Sequence, residues 1–150
     1  MKMAIKGIAH LILASIFLAG CATQDHIQVR QEAYQAYQDG DYPSAVNKFE
    51  KLVQQIPRDA ELWFRLGNAY AKAMLPQEAI NAYQNALVRD PTLGKAWYNM
   101  GMIQMQAALK AYVDMQDHVK TDDPVAEKGK AMRDGLLNLL KADDEQAGQE

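Results

Sequence analysis

Apolar positions follow three rhythms along this 150-residue chain. From Ile8 to Leu18 they form an apolar-rich run, preceded by Lys2 and Lys6 and followed at Thr23, Gln24 and Asp25 by polar sequence. Over residues 60–91 they recur at helical spacing: Trp63, Leu66 and Tyr70 make the expected buried stripe of one helix, and Ala79, Tyr83 and Ala86 that of a second. Gly67 and Ala79 are small where these two helices are expected to touch, because a larger side chain would force their axes apart. Pro76 suits the first turn of the second helix, and Pro91 stops its continuation. Further on, Val125, Met132, Leu136, Leu139 and Leu140 fall on one helical face, behind a start signal at Thr121-Asp122-Asp123-Pro124.

The middle rhythm repeats at 34 residues. One period upstream, Ala33, Ala45, Phe49, Leu52 and Pro57 stand opposite Gly67, Ala79, Tyr83, Ala86 and Pro91, with Gly40-Asp41-Tyr42-Pro43 as the turn. Val29 takes the tryptophan position, so that first helix is the degenerate half. One period downstream, Trp97, Met100 and Gly101 are in register, but Val113 and Asp117 replace the expected small residue and aromatic. No Gly or Pro interrupts 102–119, which leaves two readings open: one long helix from about Lys95 to His118, or a third repeat with a non-standard second helix. Trp63, Leu66, Gly67, Tyr70, Ala79, Tyr83, Ala86 and Pro91 carry the signature spacing of the tetratricopeptide repeat (TPR), and residues 26–107 resemble that family. The resemblance implies an all-α fold, an α-solenoid of two to three antiparallel helix pairs over 26–120. Residues 121–141 are then a C-terminal capping helix over the last apolar flank, and 142–150 an acidic tail expected to be disordered.

The first rhythm has the layout of a secretory signal over residues 1–20: a basic start, an apolar stretch too short to span a bilayer, and small residues at Ala19-Gly20. Leu18-Ala19-Gly20-Cys21 resembles the lipobox of bacterial lipoproteins. That resemblance implies lipidation of Cys21, a short linker over 21–25, and a membrane anchor. The alternative is an ordinary signal peptide with a cysteine near its cleavage site. Ala22, rather than an aspartate, resembles the sorting rule for release to the outer membrane. The expected location is the bacterial cell envelope, on the inner leaflet of the outer membrane facing the periplasm.

Charge and composition narrow the partners. Of 16 basic and 19 acidic side chains, loss of the signal removes Lys2 and Lys6 and leaves 14 against 19, a net charge of −5. An acidic chain gains nothing from neutralising phosphates, so no nucleic-acid partner is expected. One cysteine excludes an intramolecular disulfide. Neither His26, His118 with Asp117, Ser15 nor Ser44 has companions that would build a metal site or a nucleophilic triad, and no glycine-rich phosphate loop is present. Gly129 and Gly135 lower the helix propensity of the last helix without suggesting chemistry. No catalytic residue, metal or cofactor is expected, and the chain does not read as an enzyme.

The TPR register implies which side chains face the concave groove. In the first helices of the three repeats these include Arg30, Tyr34 and Tyr37, then Phe64, Asn68 and Lys72, then Tyr98, Met102 and Met105. Aromatic and methionine side chains combine contact area with adaptability and suit an apolar peptide segment, with Arg30, Asn68 and Lys72 placed to fix its backbone or an acidic end. The carboxylate clamp of one TPR sub-family is not reproduced, because Tyr34, Tyr98 and Met102 occupy positions where it needs asparagine, lysine and arginine. The expected function is a lipid-anchored scaffold binding a protein or peptide partner, similar to small TPR lipoproteins that assist assembly of outer-membrane machines. Two alternatives stand beside it: a self-associating structural module of the envelope, with oligomeric state left open, and a last helix that folds back to cover the apolar groove residues.

Overall fold

Each helix begins where the sequence supplies a cap or a proline. Asp41 accepts a hydrogen bond from the Ser44 amide at 3.2 Å and starts α2, Tyr42–Gln55; Asp59 accepts from the Leu62 amide at 3.1 Å and starts α3, Ala60–Lys72. Pro76 opens α4, Pro76–Arg89, at the position where a missing amide costs nothing. Asp123 accepts from the Val125 amide at 2.9 Å beside the start of α6, Pro124–Ala147. With α1 over 26–38 and α5 at Gly94–His118, these make six helices and no strand in the computed structural model, which describes residues 26–147. The signal reading of 1–20 and the lipidation site Cys21 lie outside the described residues.

The described chain divides into two units, one running to Ala96 and the other from Trp97. In the first, Ala33, Ala45, Phe49, Leu52, Leu62, Leu66, Ala69 and Ala82 form one buried cluster. Tyr34 stands edge-on to Phe49 at 5.5 Å. At the α3–α4 contact Gly67 leaves room for the Tyr83 ring, whose Cε1 lies 2.5 Å from where a Cβ on Gly67 would sit. The expected stripe of α3 is corrected in part. Leu66 is buried, whereas Trp63 and Tyr70 are only half-buried, and Phe64 beside them is 5 % exposed. Their polar tips explain this: the Trp63 indole N–H donates to the Pro57 carbonyl at 3.0 Å and the Tyr70 hydroxyl to Glu50 at 2.5 Å, so both rings sit at the seam with water.

Helix α5, which continues from Trp97 on in the second unit, is one helix of 25 residues, which decides between the two readings of 95–118. Because the chain does not turn back, Gly101 has nothing within 4 Å of a Cβ position, unlike Gly67 in the same register, and Trp97 is 53 % exposed. Helix α6 runs antiparallel to α5. Gly129 meets Met115 and Tyr112, Arg133 donates to Gln116, and the Tyr98 hydroxyl donates to Asp143. The side of α6 turned inward is therefore Ala126, Gly129, Arg133, Leu136, Leu140 and Asp143. Of the stripe expected from sequence, Leu136 and Leu140 are half-buried and Val125, Met132 and Leu139 are exposed. The helix also continues through 142–147, where a disordered tail was expected, and 148–150 lie outside the described residues.

Candidate functional site

Helix α3 presents Glu61, Arg65, Asn68 and Lys72 on one face, at spacings of four, three and four residues. Arg65 is its centre. Its guanidinium carbon lies 5.3 Å from the Tyr34 ring centre and 5.7 Å from that of Phe64, and its Nε donates to Glu61 at 2.7 Å. Lys95, at the start of α5, reaches the same carboxylate at 2.6 Å and holds its ammonium 4.4 Å above the Phe64 ring. Beneath these cations Phe64 lies against Tyr83, centroids 5.9 Å apart. Arg30 pairs with Asp59, the N-cap of α3, at 3.2 Å.

The pattern is built for placement of charge more than for stability. Ion pairs this exposed contribute under about 1 kcal/mol each, and a cation over an exposed ring about 0.5–1 kcal/mol. The sum of formal charges is informative instead. Arg30 pairs with Asp59, Arg65 and Lys95 with Glu61, and Lys72 stands at the far end of the same α3 face, so these six residues sum to two net positive charges on a chain whose own net charge is −3. Lys72 in the last turn also complements the carboxyl end of the α3 dipole.

The residues read from sequence distribute as follows. Arg30, Tyr34, Phe64, Asn68 and Lys72 belong to α1 and α3 of the first unit. Phe64 is not an open apolar contact, because cations cover it. Asn68 is held by the Tyr83 hydroxyl, which donates to its Oδ1 at 2.7 Å. Tyr37 sits edge-on to Tyr42 at 5.6 Å, and burial pushes its hydroxyl above the usual tyrosine range. Tyr98, Met102 and Met105 belong to the second unit, on the same α5 face as Tyr112 and Gln116, which α6 contacts. Of the three, Tyr98 meets the last helix through its hydrogen bond to Asp143 and stays 53 % exposed. Arg65 was missed by sequence reasoning, although its pairing with Glu61 four residues earlier was a usable signal.

No three His, Cys, Asp or Glu among the described residues come close enough to hold a metal ion. The His26 ring engages Gln55 and the His118 ring the Asp114 carbonyl. No described helix is long and apolar enough to cross a membrane.

Residues 60–93 match the family described as tetratricopeptide repeat. The peroxisomal targeting signal receptor of Eremothecium gossypii is 30 % identical over 104 residues, which are 69 % of this chain and 18 % of the receptor. The chain thus spans less than a fifth of that relative. Two solved structures superpose with a TM-score of 0.54 at 19 % identity, each over 76 % of this chain. One is the TPR2B domain in its pHsp70 complex from yeast Sti1, covered to 97 %; the other is the Yersinia enterocolitica type III secretion chaperone SycD with a peptide of the translocator YopD, covered to 92 %. Both share the arrangement of antiparallel helices built above from caps, prolines and the Gly67–Tyr83 contact. Residues 60–93 are a tetratricopeptide repeat, and the described chain has an all-α tetratricopeptide fold.

Proposed function

We propose that this protein is a TPR scaffold, lipid-anchored in the bacterial envelope through Cys21, that holds an extended partner segment along the α1–α3 face. The observation that carries the reading is the Tyr34–Arg65–Phe64–Lys95 stack with Glu61 tying both cations. Cations fixed over rings, with one carboxylate shared between two of them, favour a segment bearing acidic side chains or a terminal carboxylate. The ligand chemistry is therefore acidic, in place of the apolar segment read from sequence. The pHsp70 and YopD-peptide complexes of the similar structures are consistent with segment binding by this fold. Cross-linking in intact envelopes with the anchored protein as bait identifies the partner, and calorimetry on its cross-linked segment measures affinity. Arg65→Gln with Lys95→Gln should weaken binding at least tenfold, while Gln84→Ala on α4 leaves it unchanged; the reverse pattern would remove this face from the function. Fatty-acid labelling tests the anchor separately, and label on Cys21→Ser at wild-type level would exclude it.

A second reading, self-association, is favoured by one observation. Val125, Met132 and Leu139 recur every seventh residue and stay exposed along α6. Sedimentation of the unlipidated chain should then reveal a dimer that Met132→Glu dissociates; a monomer at all concentrations excludes it.

A further inference from the structure

On the side of α3 opposite Arg65, a cavity of about 160 Å³ opens between α3 and α4. Trp63, Leu66 and Tyr70 of α3 and Ala82 of α4 supply apolar surface, and Glu78 with Asn81 forms the polar edge. One end already holds a cation. Arg89 lays its guanidinium 4.7 Å from the Trp63 ring centre and donates to the Asn85 carbonyl at 2.6 Å. The other end holds negative charge. Glu50 of α2 accepts the Tyr70 hydroxyl bond, and Tyr70 ionises with difficulty because of burial and then because of Glu50 and Glu78. Among the described residues, neither Glu50 nor Glu78 has a basic side chain within 4.0 Å.

We propose that this slot receives a lysine or arginine side chain from a basic segment of a partner protein. A long apolar stem with a charged head matches the sequence of surfaces: methylenes against Trp63, Leu66 and Ala82, the cation at Glu78 with Glu50 behind it. A wholly apolar side chain would fill the same volume but strip water from Glu78 without compensation. A hard divalent cation would want six or more oxygens, and the slot is lined by one carboxylate, Glu78, and the amides of Asn81 and Asn85. The site is independent of the α1–α3 face, since it uses the other side of α3 and the opposite ligand charge.

The test is a nuclear magnetic resonance titration of the full chain with three blocked tripeptides, glycine–X–glycine, where X is arginine, lysine or the uncharged isostere norleucine. The Trp63 indole N–H, which donates to Pro57, reports the slot directly. It should shift saturably with arginine and lysine and not with norleucine. Glu50→Gln with Glu78→Gln should weaken that binding at least tenfold, whereas Asp122→Asn with Asp123→Asn, an equal loss of charge elsewhere, should change it less than twofold. Circular dichroism melts of both variants establish that they fold. An unmoved Trp63 signal, an equal shift with norleucine, or equal weakening in both double variants would each overturn the proposal.

Discussion

Met74 is an exposed methionine held at φ 60°, in the left-handed region that L side chains avoid. One repeat earlier the same turn position is Gly40, at φ 79°. The geometry belongs to the turn, and the second repeat meets it with a side chain that is 84 % exposed and so gains little packing in return. Left-handed backbone costs a non-glycine residue roughly 1–2 kcal/mol, against which glycine's extra unfolded-state entropy sets about 0.5–1 kcal/mol. Met74→Gly should therefore stabilise the protein by about 0.5–1 kcal/mol in urea unfolding; a loss of stability would mean that Met74 has contacts its exposure does not reveal. Tyr70 gives a pH test. Burial first, then its bond to Glu50 and the charges of Glu50 and Glu78, raise its pKa above the usual 10.0. The folded state thus keeps the proton longer than the unfolded chain, and the associated stability is complete below pH 10 and lost as pH rises beyond it. Melting midpoints should fall more steeply above pH 10 for the wild type than for Tyr70→Phe. Parallel slopes would remove the linkage.

Between elements, the α3–α4 contact depends on one missing methyl group. A Cβ on Gly67 would sit 2.5 Å from Tyr83, which is fully buried and fastened to Asn68, so the ring has nowhere to move. Gly67→Ala should cost about 1–3 kcal/mol by overpacking. Gly101 occupies the same register but faces open space, and Gly101→Ala should instead gain up to about 1 kcal/mol from helix propensity. Thermal melts of the two variants should move in opposite directions; movement in the same direction would contradict the single-helix geometry of α5. Asp59 tests the link from α1 to α3. It caps α3 through the Leu62 amide and pairs with Arg30, so Asp59→Ala should cost about 0.5–2 kcal/mol, mostly from the cap.

Across the whole described chain, burial is uneven. Fifteen of the sixteen buried core residues lie at or before Ala96, and Met100 is the one beyond it. Local stability follows buried contacts, so native-state hydrogen exchange should protect amides of α2 to α4 far more than those of α6 and the second half of α5. Equal protection in both units would show that they unfold as one.

The helix pair over residues 60–91 was legible as a pair, because its eight signature positions specify partner surfaces through local spacing, although Trp63 and Tyr70 of the expected buried stripe are only half-buried. Pro76 and the turn at Gly40-Asp41-Tyr42-Pro43 marked helix starts for the same local reason, whereas the caps at Asp41 and Asp59 emerged only from the structure. Three things were decided only by the tertiary structure. The length of α5 depended on whether anything would hold a second helix against Trp97 and Gly101, and local propensity over 102–119 fits either outcome. The inward side of α6 came out as Gly129, Arg133 and Leu136, because small and long-stemmed residues fit against Met115 and Gln116, a pairing that periodicity alone cannot register. The character of the α3 face changed most: Phe64 reads as an open aromatic until Lys95, thirty-one residues away, and Arg65 are seen to lie over its ring, and charge brought together across that distance is a property of packing, to which a one-dimensional pattern has no access.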